Sequence, residues 1–425
     1  MDPYAPARIA LVGAGQRGAD VYGRFALSRP DLLRVVAVAE PDPDRRRAFA
    51  AAHGIPDSLA FADWADLLRA EVPLEAAVVA TPDREHVGPA VAALRAGLAV
   101  LLEKPITPRP DELETIAAAA ADASGELTIA HPLRYTPFFS TVAGLLAEGA
   151  IGELVEIDHL ENVGFWHFAH SYVRGNWRRA DLASPVILAK ACHDLDVIRW
   201  LAGAPCTSVA SFGSLRHFRP EQAPAGAPDR CLDGCPVADT CAFYAPRFYA
   251  ATAGAGPWPV SVVTRAAGTE DLMEALRRGP YGRCVYHADN DVADHQATIL
   301  EFENGVVASL TVTAFTAENT RTMKLMGTRG EIRGHMERGE IEIRRFVDGV
   351  GMDVPPAELR TVPAGPGHGG GDDRMTEAFV RRVLAARDGR PAGESPTSLR
   401  ASLDSHRMAF AAERSRLERA VVAPG

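Results

Sequence analysis

Apolar positions along the first 130 residues gather into short runs at 8–12, 33–39, 75–80, 99–102 and 127–130. Runs of this length without polar alternation suit strands buried on both faces, as in a parallel sheet. The stretches between them carry helical spacing and predict helices over 16–27, 42–52, 63–70, 84–96 and 110–123. Alternating strand and helix predicts an α/β, doubly wound parallel sheet. Beyond residue 150 the pattern changes to period two. Strands are expected at 153–159, 207–215, 297–303, 306–315, 322–326, 330–333 and 340–346, with Asn304-Gly305 marking a hairpin. Helices are expected at 187–201, 372–386 and 398–419, and the stretch 353–371 reads as a Pro/Gly-rich loop containing His368.

Length and composition narrow the possibilities. A chain of 425 residues is long enough for two domains, and 47% hydrophobic with 24% charged residues is ordinary for a globular protein. The net charge of −10 argues against nucleic acid or an anionic membrane as the main partner. No apolar run approaches the ~20 residues of a membrane span. Residues 1–7 lack the charged-then-apolar order of a signal peptide. Six cysteines are too few for a disulfide scaffold, so a cytoplasmic protein with reduced thiols is expected.

The first apolar run leads directly into Gly13-Ala14-Gly15-Gln16-Arg17-Gly18, with a helix after it and Glu40 at the end of the next strand. Strand, glycine turn, helix and a downstream acid form the dinucleotide pattern. The glycines admit a pyrophosphate to the helix N-terminus, and the carboxylate takes the ribose hydroxyls. A carboxylate repels a 2′-phosphate, which favours NAD, although Arg45, Arg46 and Arg47 keep NADP open. The run 99–102 ends in Glu103-Lys104-Pro105. Pro105 restricts the backbone of Lys104 and would aim its ammonium along a fixed line into the crevice where such sheets bind ligands. An ammonium held partly out of water can act as an acid or orient a hydroxyl.

Together the glycine turn, Glu40, Thr81-Pro82 with His86, Glu103-Lys104-Pro105 and Arg134-Tyr135-Thr136-Pro137 resemble the Gfo/Idh/MocA family, which contains glucose-fructose oxidoreductase and inositol dehydrogenase. The resemblance implies a Rossmann domain over 1–131 and an α+β domain with a large, mostly antiparallel open sheet over 132–425, often used for oligomer contacts. It implies NAD(P)-linked chemistry on sugars or cyclitols, with Lys104 near the reacting hydroxyl. The cofactor would then lie against Gly13, Gly15, Gln16, Arg17, Gly18, Glu40, Thr81, Pro82, His86, Glu103 and Lys104. His86 reads equally well as a helix-start residue.

In the second half, the stretch from Trp166 to Arg179 interleaves aromatic rings with guanidinium groups. Rings cover the apolar faces of a sugar and donors reach its hydroxyls. Three arginines would also suit an anionic substituent. The other reading is a solvated loop whose rings pack locally. The substrate-binding candidates are His131, Arg134, Trp166, His167, Arg174, Trp177, Arg178, Lys190 and His193. The family places an aspartate four residues before the histidine corresponding to His193; here that position is Ala189, and Lys190 stands three before. On one helix Lys190 and His193 would share a face. An imidazole titrating near neutrality suits proton transfer, so His193 is expected to move the proton, with Lys190 assisting and Tyr135 as a further catalytic candidate. An insertion over 216–289 carries Cys231, Cys235, Cys241 and Cys284. Four thiols there would suit a structural zinc, but free thiols or one disulfide fit the irregular spacing too.

The leading expectation is an NAD-dependent oxidoreductase that moves a hydride between nicotinamide and a ring carbon of a sugar, glycoside or cyclitol, working as a homo-oligomer (dimer or tetramer). The alternative is a redox-neutral NAD-dependent glycoside hydrolase, sulfoquinovosidase-like, acting by oxidation at C3, elimination, hydration and re-reduction. A third reading is a non-catalytic NAD-binding regulator.

Overall fold

Six strands of the first half pair in parallel: β1 (Ala7–Val12), β2 (Leu33–Ala39), β3 (Ala60–Phe61), β4 (Ala76–Val79), β5 (Ala99–Leu102) and β6 (Leu127–Ile129). Their order, β3-β2-β1-β4-β5-β6, places the reversal of winding between β1 and β4, so a ligand crevice opens at the carboxyl ends of those strands. The computed structural model describes residues 5–253, 258–266 and 268–425. Residues 1–4 of the N-terminal stretch, and 254–257 and 267 of the expected insertion, lie outside them.

The parallel strands are apolar at most positions because helices cover both faces, with Arg8 on β1 and Arg34 on β2 the exposed exceptions. Leu11, Val78 and Leu101 belong to one core, and Val12, Val79 and Leu102 to the core on the other side. Capping sets several boundaries. Asp42 accepts hydrogen bonds from the backbone N–H groups of Asp44 and Arg45, and Gly54 ends the same helix at φ 64°.

The second sheet has eight strands: β7 (Leu154–Val163), β8 (Cys206–Ser214), β9 (His295–Phe302), β10 (Val307–Thr313), β11 (Asn319–Gly327), β12 (Gly330–His335), β13 (Glu340–Arg345) and β14 (Glu358–Thr361). Their order is β14-β13-β12-β11-β7-β10-β9-β8, antiparallel except where β10 runs parallel to β7. One face packs on the large C-terminal core. The other leaves Phe212, Ile299 and Val307 exposed.

Three features depart from the sequence pattern. The predicted helix 187–201 is two helices, Val186–Ala189 and Cys192–Ala202, so Lys190 and His193 do not share a helical face. The predicted loop 353–371 contains β14 and the start of a helix, Pro366–Arg387, whose first turn is non-helical at Gly367, His368, Gly369 and Gly370. An unpredicted helix, Pro137–Ala147, is capped by Thr136 Oγ1 and buries Phe138, Phe139, Val142 and Leu145, each worth roughly 1.5–3 kcal/mol. The chain also returns to its beginning. Met375, Phe379, Val380 and Val383 join the core beneath β1 and β2, and Ser398 bridges to Thr128 on β6.

Candidate active site

The glycine turn after β1 is shaped by close backbone approaches. Gly13 has φ 91°, and a Cβ there would lie 2.5 Å from the Ala80 carbonyl oxygen. A Cβ at Gly18 would lie 1.9 Å from the Gly13 oxygen, whereas one at Gly15 would meet nothing within 4 Å. The outer glycines therefore serve packing, and the middle one leaves an open cradle against the first helical turn, Gly18–Gly23. Glu40 is buried at the end of β2, accepting from Ala14 N at 2.8 Å and Asp42 N at 3.0 Å. A carboxylate beside an open glycine cradle fits the adenosine half of NAD.

Arg17 leaves the turn in another direction. Its Nε donates to Glu103 at 2.6 Å and its Nη2 to Asp372 Oδ1 at 2.8 Å. The Tyr22 hydroxyl donates to Glu103, also at 2.6 Å. Burial pushes the Glu103 carboxyl up, but Arg17 and Tyr22 outweigh it and hold it below the ordinary range. These contacts make Glu103 and Arg17 a brace under the crevice. His86 is enclosed as well, with Nδ1 2.6 Å from the Pro105 carbonyl and Nε2 2.9 Å from that of Thr81. It straps the ends of β4 and β5 together.

Lys104 follows β5 with a cis bond to Pro105, and its Nζ donates to the Ala189 carbonyl at 2.7 Å. That carbonyl ends the short helix just before His193, so the lysine and the histidine are drawn to one place. His193 is 2% exposed; its Nδ1 lies 3.4 Å from His131 Nδ1. Nε2 of both rings is buried without a hydrogen-bond partner among the described residues. Burial, with the charge of Lys104 next, pushes the His193 imidazole well below its ordinary value, so it rests neutral. A neutral buried imidazole with a free nitrogen is an acceptor waiting for a hydroxyl.

Lys190 points elsewhere, into a buried charge cluster that spacing alone did not reveal. Its Nζ lies 3.4 Å from Glu161 on β7, and Arg321 on β11 pairs with Glu161 at 2.5 Å and with Asp194 at 2.8 Å. His159 Nε2 meets Asp194 at 2.7 Å. The cluster ties the first turn of the His193 helix to the second sheet. Only the alternation of β7 and β11 hinted at it, by placing charged residues where apolar ones were expected.

The aromatic–arginine stretch folds inward as a helical segment, Phe165–Phe168 continuing through Ala169–Arg174. His167 Nδ1 bonds Asn319 Oδ1 at 2.8 Å, and its ring packs against both Trp166 and Trp258, which also touch each other. Trp177 donates to Asp83 at 3.4 Å, linking the two halves of the chain. The arginines are otherwise engaged. Arg174 donates to the carbonyls of Arg283 and Phe243, Arg178 pairs with Asp289 and Arg179 with Asp181; outside the stretch, Arg134 forks onto Asp196. The expected anion-binding guanidinium groups are thus paired within the fold, Arg174 because a buried arginine must find acceptors there. The Tyr135 hydroxyl lies 3.3 Å from both Ser395 and Thr397.

The zinc expectation is also corrected. Cys231, Cys235, Cys241 and Cys284 line one small cavity, yet all are free thiols, and no group of three or more ligands is placed to hold a metal among the described residues. Arg174 enters that cavity, with Nη2 3.7 Å from Cys231 Sγ, and ties the surrounding loops itself.

Comparison with known proteins agrees with this architecture. Residues 7–131 match the family described as "Oxidoreductase family, NAD-binding Rossmann fold", and 143–423 match its "C-terminal alpha/beta domain". This chain belongs to the Gfo/Idh/MocA oxidoreductase family. Among curated relatives, the putative oxidoreductase YteT of Bacillus subtilis is 22% identical over 73% of each chain. An inositol 2-dehydrogenase of Leifsonia xyli is 34% identical over 48% of this chain and 55% of that enzyme. Levoglucosan dehydrogenase, solved with NADH and levoglucosan, shares the fold at TM-score 0.71 with 18% identity over 99% of both chains. An inositol dehydrogenase homolog from Azotobacter vinelandii, solved with NAD+, superposes equally well (TM-score 0.71, 18% identity, 98% of this chain and 97% of that one). This member of the family joins a parallel six-stranded sheet to a mostly antiparallel eight-stranded one.

Proposed function

We propose that this protein is an NAD-dependent dehydrogenase acting on a ring hydroxyl of a sugar or cyclitol. The observation that carries the reading is the meeting of Lys104 and His193 at the carboxyl end of β5, beside the cradle formed by Gly15 and Glu40. When bound, the nicotinamide supplies the hydride acceptor. The chain does the rest. Glu40 takes the ribose hydroxyls, where its charge disfavours a 2′-phosphate. Lys104 donates to and orients the substrate oxygen, and the unpartnered Nε2 of His193 receives its proton. His131, also with an unpartnered Nε2, is the second donor or acceptor for the substrate, and Trp166 with His167 supplies the aromatic wall. Inositol and levoglucosan dehydrogenases among the relatives and structural neighbours support the substrate class.

The test is a screen of inositols, levoglucosan, monosaccharides and aryl glycosides with NAD+, following NADH absorbance and aglycone release. Net NADH from a free sugar or cyclitol supports the dehydrogenase. Aglycone release without net NADH, with deuterium entering at C2, would assign redox-neutral glycoside hydrolysis instead. Tight NAD binding with no turnover would leave a regulator. The exposed face carrying Phe212, Ile299 and Val307 is where a second copy would pack, and a sedimentation measurement reporting a monomer would remove that assignment.

A further inference from the structure

Four imidazoles crowd behind the end of β5, and one of them reaches solvent. His131, His193 and His406 are 0%, 2% and 0% exposed, whereas the His368 side chain keeps 28% of its surface accessible. The rings of His193 and His368 lie 5.2 Å apart, centroid to centroid. Nδ1 of His368 is 3.1 Å from Asp372 Oδ2, and Asp372 receives two hydrogen bonds from Arg17, at 2.8 and 3.2 Å. A carboxylate facing Nδ1 keeps the ring proton on that nitrogen and leaves Nε2 as the acceptor.

The backbone is bent to put that ring there. Gly367, His368, Gly369 and Gly370 have φ values of 53°, 43°, 63° and 83°. Glycine enters this region freely, but a histidine does not. A non-glycine residue held at such an angle, with its ring aimed at the site, marks a position kept for its side chain.

The charges around the two rings differ. Lys104, His368, His131 and Arg321 surround His193, and each disfavours a proton on it. His368 faces Asp372 and Arg17, with Arg321 beyond. A proton arriving on His193 therefore sits beside Lys104 and Arg321 in a closed space; burial disfavours one on His368 as well, but there Asp372 opposes the burial and the side chain is partly exposed. We propose that His368 is the solvent-side end of a proton relay that begins at His193, with Asp372 and Arg17 as its positioning pair. This rests on the dehydrogenase reading. As the substrate C–O–H becomes C=O, the hydride on carbon leaves to the oxidised cofactor and the hydroxyl proton passes to His193. His193 Nε2 then passes that proton through an intervening water to His368 Nε2, across rings whose centroids lie 5.2 Å apart, and His368 releases it to bulk water, so that one proton appears in solution per hydride transferred. Reduction runs the same path backwards.

The test uses the full-length protein with His368→Ala and Asp372→Asn. With NAD+ and inositol or levoglucosan in weak buffer, His368→Ala should lower turnover about 10-fold or more with KM nearly unchanged, and added imidazole should restore it. Wild-type turnover should ignore imidazole. Turnover at the wild-type level in His368→Ala, or a loss that imidazole leaves unrepaired with an unchanged pH profile, overturns the relay. A second readout needs no substrate. In nitrogen-15 histidine spectra, Asp372→Asn should lower the His368 midpoint by about one pH unit, and His368→Asn should raise that of His193. Unmoved midpoints also overturn the relay. If no sugar or cyclitol is turned over, the dehydrogenase reading falls, while the spectra still decide whether the two rings are coupled.

Discussion

Replacing Arg321 by methionine should destabilise the C-terminal half severely, and the deficit should depend on pH. The Arg321 side chain is 7% exposed and faces two carboxylates, Glu161 at 2.5 Å and Asp194 at 2.8 Å. Methionine fills similar space but leaves both anions buried, with Lys190 3.4 Å from Glu161 as the remaining fixed cation. Breaking a buried pair by removing one partner typically removes about 3–5 kcal/mol. That is a large fraction of the roughly 5–15 kcal/mol that holds a domain together. With a urea dependence of about 3 kcal/mol per molar, the unfolding midpoint should fall by about 1 M at neutral pH.

The sign with pH follows from the carboxylates. Burial raises Asp194, but Arg321 and His159 outweigh it and hold it below its ordinary 3.8. In the wild type its contribution is therefore present above the unfolded value and is lost as pH falls below it. Without Arg321 burial prevails, and the folded variant takes up a proton that the unfolded chain does not. The variant then gains stability on acidification from neutrality toward the unfolded value, and the deficit narrows. Glu161, which burial already raises above its ordinary value, works in the same direction. Urea denaturation followed by circular dichroism at pH 7 and pH 5 checks both points. A deficit under about 1 kcal/mol, or one equal at the two pH values, would refute the assignment of this cluster as a coupled buried network.

Lys104→Met should reduce turnover about 100-fold or more while leaving the NAD dissociation constant unchanged; near-normal turnover would take the lysine out of the mechanism. Glu40→Ala removes the acceptor for Ala14 N and Asp42 N, so NAD affinity should drop about 10- to 100-fold and the preference over NADP should shrink. Fluorescence titration with each cofactor reads this, and an unchanged NAD constant would count against the ribose assignment. His406 accepts from Ile106 N, and burial pushes its imidazole down from 6.5 to about 3. Because the folded value lies below the unfolded one, stability present above pH 6.5 should be lost as pH falls toward 3. His406→Gln should flatten that acid limb, and parallel acid-unfolding curves would show that His406 does not set it.

Much of the framework was legible because it is written in local periodicity. Apolar runs become β1, β2, β4, β5 and β6, and alternation becomes most of the second sheet. The glycine turn and Glu40 could be read because their spacing encodes a backbone path. Lys104 was legible as the charge that ends an apolar strand. Less legible were the roles of polar residues that the fold turns inward. The stretch from Trp166 to Arg179 resembles a sugar-binding surface in composition, yet Arg174 and Arg178 close on Phe243, Arg283 and Asp289. The break at Lys190 and Ala191 separates two residues that helical spacing had joined.

The amino-acid order alone determined most of the strands and helices and the change from a parallel to a mostly antiparallel sheet, and it marked the glycine turn expected to take a dinucleotide, since each depends on neighbours within one or two turns of chain. Tertiary structure decided which polar groups remain free to act. A buried donor or acceptor must be satisfied by whatever the fold brings to it, and that partner can lie far along the chain, as Asp372 does for Arg17, 355 residues away. His368 faces His193 for the same reason: a left-handed glycine loop near one end of the chain closes over a helix near its middle.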